Sequence, residues 1–351
     1  MEKEKIRINE FVQDDLLAQN IYTDAKALYV AENTRLDTYM VKKVRELGVD
    51  DVLVYRRKES GGKDPERKKE EAKRFLRQYE EDVEGVRTLI GELAKGEKLN
   101  MERVDDLTET LYDEIDSKEH IMQCLSSLKA FDQYTYNHSI NVALYGMLIA
   151  KWLGMGEEGV KDIVRAGLLH DIGKSQIPDE ILNKRSPLSR EEFELMKRHP
   201  ALGFFLARNS GIEQSVHLDG ILMHHERFDG TGYPLGIRGR QISLSAKIIA
   251  VADVYDALTS ERVYKKRITP FETFRIIEDT GLGHFDTQIM QVFLSNVAYY
   301  YTGMKVRMNT GEQGIIACIL PHCISRPIVE LSGRLVDLSR DKRLDIIEII
   351  G

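Results

Sequence analysis

The heptapeptide LLHDIGK occupies residues 168–174 and joins a helical pattern to a pair of metal-type ligands. Apolar residues with helical spacing lead into it from Val160 onward. His170 and Asp171 then place an imidazole beside a carboxylate, and Lys174 follows after a glycine. Neutral imidazole and carboxylate suit borderline metals such as iron, manganese and zinc. Because a carboxylate has two oxygens, one aspartate can bridge two cations, so the heptapeptide predicts a helix that ends at a metal site.

A second stretch, HHERFDGTGYP at residues 224–234, places adjacent histidines at the end of a helical pattern and before a Gly/Pro loop. Two neighbouring histidines by themselves also suit an ordinary protein surface. His138 at the start of a helix and His199 before a proline add further ligand types. Asp253 lies in an otherwise apolar helical run, where an unpaired buried charge is costly and a metal would supply the partner.

Histidine is unevenly distributed along a chain of otherwise ordinary composition. Seven of the nine histidines fall between His138 and His284. The 351 residues are 42% hydrophobic and 30% charged, which is typical of soluble globular proteins. The net charge of −7 disfavours binding of a nucleic-acid polymer through a basic face, and no such partner is expected.

The sequence predicts a cytoplasmic protein without a membrane span. The first ten residues, MEKEKIRINE, lack the apolar core of a secretion signal. The longest apolar run, residues 142–150, is far shorter than the roughly 20 residues that cross a bilayer. Three cysteines, Cys124, Cys318 and Cys323, are too few and too scattered for a disulfide framework.

Four segments of different composition predict a multi-domain, mainly α protein. Residues 1–60 combine β-prone runs with one helical pattern, which indicates a small N-terminal α+β domain. Residues 61–99 form a charged helical linker, and the helical periodicity of residues 100–302 predicts an all-helical domain. Residues 303–351 contain short β-prone runs between turn residues, which predicts a small antiparallel β domain.

The linker carries a narrow apolar stripe on a highly charged helix. Phe75, Tyr79, Val83 and Val86 begin a series with a spacing of three or four residues. One interpretation is a connector that docks on its own chain. The other is a coiled coil through residues 66–95 that forms a homodimer or transmits a signal, although the stripe is shorter than a secure heptad repeat.

An ordered series of motifs over residues 132–286 resembles the HD-GYP family, bacterial cyclic-dinucleotide phosphodiesterases within the HD phosphohydrolase superfamily. The series comprises Tyr134-Thr135 ahead of His138-Ser139, HDIGK at 170–174, ILNK at 181–184, His199-Pro200, the 224–234 block, and DVYDALT at 253–259 followed by Arg262. A single His-Asp pair is nonspecific, whereas this order and spacing is highly specific. The resemblance implies an all-helical HD-type domain.

The resemblance further implies two divalent metal ions, iron in the first place and manganese as the alternative. One ion would be held by His138, His170, Asp171 and Asp253, and the other by Asp171, His199, His224 and His225, with Asp171 as the bridge. Some family members recruit a third metal through a glutamate four residues before the first histidine. Tyr134 occupies that position here, which favours two metals.

Catalytic and substrate-binding roles follow from the same resemblance. Two cations can hold a bridging hydroxide as nucleophile and neutralise charge on a phosphoryl group. Asp171 and Lys174 are the expected catalytic residues, with Lys174 on the scissile phosphate. Arg262 and Lys265 would bind the second phosphate and a guanine, since the planar fork of arginine bonds phosphate and stacks on bases.

Other polar residues near these motifs have open roles. Tyr233 would hydrogen-bond a ligand, shape the pocket or dock a GGDEF-domain partner; equally, it would belong to a turn that requires its neighbours Gly232 and Pro234. Asp256 lies one helical turn beyond Asp253 and would orient groups near the metals or simply pair with an N–H or an arginine. Glu226 is only a secondary candidate.

The expected function is hydrolysis of cyclic di-GMP to linear pGpG, with further cleavage to GMP left open. Hydrolysis of 3′,3′-cyclic GMP-AMP is an alternative, because the two substrates differ by a few hydrogen bonds to one base. A nonhydrolysing cyclic di-GMP sensor is another alternative, but such members usually lose ligands, and every bimetallic position is filled here. An HD-superfamily nucleotidase would explain His170-Asp171 but not Gly232-Tyr233-Pro234.

Overall fold

The computed structural model describes residues 2–11, 15–19, 21–22, 28–30, 36, 38–56, 65–114, 134–184, 186–259, 269–281, 283–320 and 323–350. Two compact units make up the chain: residues 1–68 with residues 298–351, and residues 69–297. The protein is mainly helical with a C-terminal antiparallel sheet, as predicted. The boundaries of the four predicted segments stay a prediction.

Short strands and one helix form the N-terminal part of the first unit. Its elements are β1 (Glu2–Arg7), a 3₁₀ turn (Ile8–Glu10), β2 (Leu16–Leu17), β3 (Ile21–Tyr22), β4 (Leu28–Val30), α1 (Thr38–Glu46) and β5 (Asp51–Arg56). Strand β5 is central, with β1 and β2 antiparallel on its two sides, and β3 pairs with β4. Alternate residues such as Val52 and Val54 of β5 enter a core shared with Val41 and Val44 of α1.

The C-terminal part of that unit is a five-stranded antiparallel sheet. Its strands are β6 (Lys305–Met308), β7 (Gln313–Leu320), β8 (Cys323–Leu331), β9 (Arg334–Asp337) and β10 (Ile346–Ile350), in the order β10-β6-β7-β8-β9. The alternation of buried and exposed residues along β7 places Ile316 and Cys318 inside and Ile315 outside. The β-prone runs of residues 303–351 therefore form a sheet.

Helices dominate the second unit. They are α2 (Pro65–Ala94), α3 (Met101–Glu114), α4 (Tyr134–Trp152), α5 (Glu157–Leu169), α6 (Asp179–Leu182), α7 (Arg190–Met196), α8 (His199–Asn209), α9 (Ser215–Met223), α10 (Leu244–Thr259), α11 (Pro270–Gly281) and α12 (Thr287–Tyr299), with 3₁₀ turns at Ile172–Gln176 and Gly239–Gln241. Residues 137–150 of α4 are all buried, which explains why this helix lacks a polar face. Helices α5 and α10 pack against α4, and α9 packs against both of them.

The apolar stripe of α2 lies against the chain itself. Leu89 and Leu93 share a core with Leu169, Ile172 and Ile221. This packing is what the connector interpretation predicts. The homodimer through residues 66–95 stays a prediction. Within the part of the chain that the structure describes, no helix is both long enough and apolar enough to cross a bilayer.

Asp82 is a buried acid on α2. Its exposure is 3%, and Gln78 donates a hydrogen bond of 3.3 Å to Oδ1. Oδ2 has no hydrogen-bond partner among the described residues. Burial raises the pKa of Asp82 to about 7; Glu81 acts in the same direction and the Gln78 hydrogen bond opposes it. The folded protein therefore binds this proton more tightly than the unfolded chain, whose Asp82 has the ordinary pKa of 3.8.

We expect Asp82→Asn to stabilise the protein at pH 8 and to change its stability much less at pH 4. The wild-type contribution is complete below the unfolded pKa and is lost as the pH rises toward 7. The amide needs no proton, so the gain above pH 7 is at most about 4 kcal/mol. Thermal unfolding at the two pH values measures it, with exposed Asp106→Asn as the control. An asparagine variant less stable than wild type at pH 8 would contradict this expectation.

Candidate metal centre

Helix ends bring the predicted ligands together in the second unit. His170 and Asp171 directly follow α5, His199 begins α8, and His224 directly follows α9. His138 lies in the second turn of α4. The ends of helices α5 and α9, together with the start of α8, thus present their side chains toward one buried point.

Three of the histidines are oriented by their own backbone. In each, Nδ1 bonds the carbonyl oxygen of the residue three positions earlier: 2.7 Å from His170 to Gly167, 2.8 Å from His199 to Met196 and 2.8 Å from His224 to Ile221. A carbonyl oxygen only accepts, so Nδ1 carries the hydrogen, and in the neutral imidazole Nε2 then has the lone pair. This hydrogen bonding to the second nitrogen is typical of histidines that bind metals through Nε2.

Each carboxylate oxygen of Asp171 faces a different pair of histidines. Oδ1 lies 3.2 Å from Nε2 of His199 and 3.9 Å from Nε2 of His224. Oδ2 lies 3.2 Å from Nε2 of His170 and 3.5 Å from Nε2 of His138. The side chain is therefore placed between two groups of imidazoles, with one oxygen directed to each group.

Asp253 and His225 complete the cluster. Nε2 of His138 lies 3.2 Å from Oδ1 of Asp253, and Nδ1 of His225 lies 3.8 Å from Oδ2 of Asp253. Ligand atoms come within 4.8 Å of one another in two groups, Asp171 with His199, His224 and His225, and Asp171 with His138 and His170. All seven residues proposed from the sequence as metal ligands thus lie together.

The donor set fits divalent cations. Nε2 of His170 and Oδ1 of Asp171 are buried and make no hydrogen bond with any residue that the structure describes. A buried polar atom without a partner costs about 1–3 kcal/mol, which a bound cation would recover. Five imidazoles and two carboxylates around one point are ligands of borderline metals such as iron, manganese and zinc.

The protonation states of His224 and His225 also suit metal binding. Burial, together with the neighbouring histidines, lowers the pKa of His224, and burial lowers that of His225 to about 3. Both imidazoles are therefore neutral at pH 7, as metal ligands must be. Burial opposes ionisation of Asp171, but His170 and Lys174 outweigh it and hold the pKa of that carboxyl well below its usual range.

Lys174 lies at the edge of the cluster, with Nζ 2.5 Å from Oδ2 of Asp171. It belongs to the 3₁₀ turn that follows His170 and Asp171. A Cβ atom on Gly173 would overlap the carbonyl oxygen of His199 and the N–H of Gly203. Glycine therefore lets this turn lie directly against α8. The sequence identified Lys174, whereas the steric reason for Gly173 appears only in the structure.

The loop of residues 224–234 covers one side of the cluster. The ring of Tyr233 lies 4.7 Å from the ring of His225 at an interplanar angle of 32°, and its N–H donates to the carbonyl oxygen of His225 at 3.2 Å. Burial raises the pKa of Tyr233, and the carboxylates of Asp253 and Asp171 add to the effect, so the phenol keeps its proton.

Glu226 holds the chain that leaves this loop. It is 2% exposed and accepts N–H hydrogen bonds of 2.6, 3.2 and 3.1 Å from Leu235, Gly236 and Ile237. A carboxylate that accepts several backbone N–H groups fixes the path of the backbone. Sequence reasoning ranked Glu226 only as a secondary candidate, because no spacing marks a side chain that binds main-chain atoms.

Three residues discussed from the sequence cannot be placed at the site. Arg262 and Lys265 lie outside the described residues, as does the side chain of Tyr134.

Asp256 accepts a hydrogen bond from Asn141 and bonds Nδ1 of His138, which places it behind a predicted metal ligand. Sequence reasoning missed Asn141, although its position three residues after His138 puts both on one face of α4.

Comparisons with known proteins agree with this geometry. A family model described as HD domain matches residues 110–289. A cyclic di-GMP phosphodiesterase of Pseudomonas aeruginosa is 35% identical over 276 residues, covering 76% of this chain and 66% of the relative. A 3′3′-cGAMP-specific phosphodiesterase of Vibrio cholerae is 38% identical over 173 residues, covering 49% of this chain and 40% of the relative.

A solved structure shares the fold. An HDG"Y"P protein from Bdellovibrio bacteriovorus has a TM-score of 0.55 at 17% identity, covering 84% of this chain and 99% of its own. The family model alone spans more than half of the chain, and it includes His138 through Asp253. The chain therefore belongs to the HD-domain family and, within it, to the HD-GYP family.

Proposed function

We propose that this protein is a metal-dependent phosphodiesterase that hydrolyses cyclic di-GMP to linear pGpG. The observation that carries the proposal is the placement of Asp171, whose two oxygens face two separate pairs of histidines. When bound there, two divalent cations would supply an activated water and neutralise charge on a phosphate. We propose iron for both positions, with manganese as the alternative, held by Asp171 and the six other ligands grouped about it.

The chain's own residues would bind and orient the substrate. Lys174 has a charged Nζ at the edge of the cluster and would contact the scissile phosphate. Tyr233 keeps its phenolic hydrogen beside His225 and would donate it to a substrate oxygen. We keep Arg262 and Lys265 as the proposed contacts to the second phosphate and a guanine, because an arginine fork suits phosphate and base.

The names of the relatives give two different candidate substrates. The Pseudomonas aeruginosa relative is named for cyclic di-GMP and the Vibrio cholerae relative for cyclic GMP-AMP. The matched regions span 66% and 40% of those two proteins. Cyclic GMP-AMP hydrolysis is accordingly the alternative function. The complete ligand set argues against a sensor that binds the dinucleotide without cleaving it.

Protein loaded anaerobically with Fe²⁺ or Mn²⁺ should convert cyclic di-GMP to pGpG, with chromatography of the products as the measurement. A parallel reaction with 3′,3′-cyclic GMP-AMP ranks the two substrates by kcat/KM, and a long incubation reveals whether GMP follows. Tight binding of cyclic di-GMP by the metal-loaded protein without turnover would replace the enzyme proposal with the sensor.

We expect Lys174→Met to lower kcat about 10²- to 10³-fold while leaving the metal content unchanged, because the lost charge acts on the phosphate. Lys184→Met is the matched control. Lys184 pairs with Glu192 at 2.5 Å, outside the ligand groups, so its loss should leave kcat within about 2-fold of wild type. A Lys174 variant with full activity would remove that residue from the reaction.

Location, the N-terminal domain and a protein partner complete the proposal. A cytoplasmic location fits the composition. Residues 1–60 are proposed as a small N-terminal α+β domain, because short strands pair there and pack with α1. A GGDEF-domain protein is the proposed partner of the 224–234 loop, where Phe228 is 37% exposed and Leu235, which directly follows the loop, is 53% exposed.

A further inference from the structure

A chain of buried hydrogen bonds runs from helix α2 to the metal centre. The hydroxyl of Tyr79 donates to Oδ1 of Asn141, and Nδ2 of Asn141 donates to Oδ1 of Asp256, each at 2.7 Å. Oδ2 of Asp256 lies 2.7 Å from Nδ1 of His138. We propose that Tyr79 is a positioning residue that acts through Asn141 and Asp256 to orient the His138 imidazole. The inference rests on the metal centre assigned under the proposed function.

The chemistry of the four side chains decides which group donates and which accepts in each of these hydrogen bonds. An ionised carboxylate only accepts, so Asp256 requires the amide nitrogen of Asn141 on one side and a protonated Nδ1 of His138 on the other. Asn141 must then turn its oxygen toward Tyr79, whose hydroxyl donates. In the neutral imidazole of His138 the lone pair is then on Nε2. That atom lies 3.5 Å from Asp171 and 3.2 Å from Asp253.

All four side chains that make these hydrogen bonds are buried. The exposures of Tyr79, Asn141, Asp256 and His138 are 1%, 2%, 1% and 7%. Bulk water therefore cannot replace a lost partner, and hydrogen bonds in such surroundings are stronger and polarise one another. Removal of the Tyr79 hydroxyl takes from Asn141 the donor that holds its amide group.

His138 differs from the other histidines in how it is oriented. His170, His199 and His224 each bond a carbonyl three residues earlier, which is a local contact. Nδ1 of His138 instead bonds a side chain 118 residues away, and the chain of bonds ends on a helix that precedes the catalytic segment. Its position therefore depends on long-range packing, which gives a distant tyrosine influence over a metal ligand.

Helix α2 is held firmly enough for this role. Its Leu89 and Leu93 lie in a core with Leu169 and Ile172, the residues on either side of the His170-Asp171 pair. Tyr79 thus extends from a helix that is packed against the same elements as the metal centre. The segment predicted from sequence as a charged linker contributes a side chain to the outer shell of the site.

Metal titration of the full-length, metal-stripped protein tests the proposal. Calorimetry with Mn²⁺ should resolve two ions in wild type, and Tyr79→Phe should weaken one of them about 3- to 10-fold without changing the other. Outer-shell substitutions typically cost about 10- to 100-fold, and Tyr79 is two bonds further out. Asn141→Ala should weaken the same ion more. The double variant should match Asn141→Ala alone, because Tyr79 acts through Asn141.

Thr108→Val is the matched control for a lost buried hydroxyl. Thr108 is fully buried on α3 and donates at 2.7 Å to the carbonyl oxygen of Val104. Its variant should lose stability yet bind both ions as wild type does. If Tyr79→Phe also loses only stability, or if its effect adds to that of Asn141→Ala, the relay is wrong.

The same titration separates this inference from the proposed function. A wild-type protein that binds no divalent cation overturns the metal centre and the relay together. A wild-type protein that binds two Mn²⁺ ions but cleaves no cyclic dinucleotide overturns the proposed function alone. In that second case the comparison between Tyr79→Phe and wild type still decides the relay, since it measures affinity and not turnover.

Discussion

Asp171→Asn should abolish hydrolysis, lowering kcat/KM at least about 10³-fold, and should reduce the metal content below one ion per chain. The amide retains the shape of the carboxylate but replaces one ligand oxygen with a hydrogen-bond donor. That donor would face only one of the two histidine pairs, whose nearest Nε2 lies 3.2 Å away. The variant therefore hydrogen-bonds one pair where a cation would bind and leaves a single neutral oxygen for the other pair.

The matched control is Asp162→Asn. Asp162 also pairs with a buried histidine, its Oδ1 lying 2.9 Å from Nε2 of His217, but it lies outside both ligand groups. Its variant should keep two metal ions and full turnover. Circular dichroism of both variants checks that each is folded. Retention of two ions and of activity by Asp171→Asn would refute the bridging role.

Sequence patterns predict the residues of the site better than the contacts that support them. The seven proposed ligands belong to short motifs with characteristic order and spacing, so their residue types and their grouping along the chain are visible in the amino-acid sequence. The strands of residues 303–351 are visible in the same way, because β-prone runs separated by turn residues mark them. Strand β6 (Lys305–Met308) is the first strand within this predicted β-prone region.

Contacts between distant residues could not be predicted in the same way. Tyr79 and Asn141 are 62 residues apart, and their hydrogen bond depends on how α2 packs against α4. Tyr79 belongs to an apolar stripe, where a tyrosine is simply expected in the core. The acceptance of three backbone N–H groups by Glu226 leaves no sequence pattern either. Such supports follow from tertiary packing, which local periodicity does not encode.

The two groups of ligands predict that His138→Gln and His224→Gln each lose one metal ion. The ion lost from one variant should be the ion that the other variant retains. Each variant should fall from two ions to one and lose at least about 10²-fold in kcat, because hydrolysis needs both cations. Metal analysis after desalting measures the content. His217→Gln is the control: His217 is 3% exposed and bonded to Asp162, so its variant loses a buried imidazole without touching the cluster.

Double variants test whether the ligand groups are real. His138→Gln with Asp253→Asn changes two side chains 3.2 Å apart on one side of Asp171 and should still bind one ion. His138→Gln with His224→Gln changes both sides and should bind none. Equal metal contents for these two double variants would mean that the seven residues form one undivided site.

The two remaining ions should also differ in metal preference. In His224→Gln the retained position has the carboxylates of Asp171 and Asp253, whereas in His138→Gln it has Asp171 with the imidazoles of His199, His224 and His225. Carboxylates suit Mn²⁺ and imidazoles suit Fe²⁺. Mn²⁺ should therefore bind more tightly to His224→Gln than to His138→Gln. The opposite order would place Asp253 with the other group of ligands, nearer to His225, whose Nδ1 lies 3.8 Å from it.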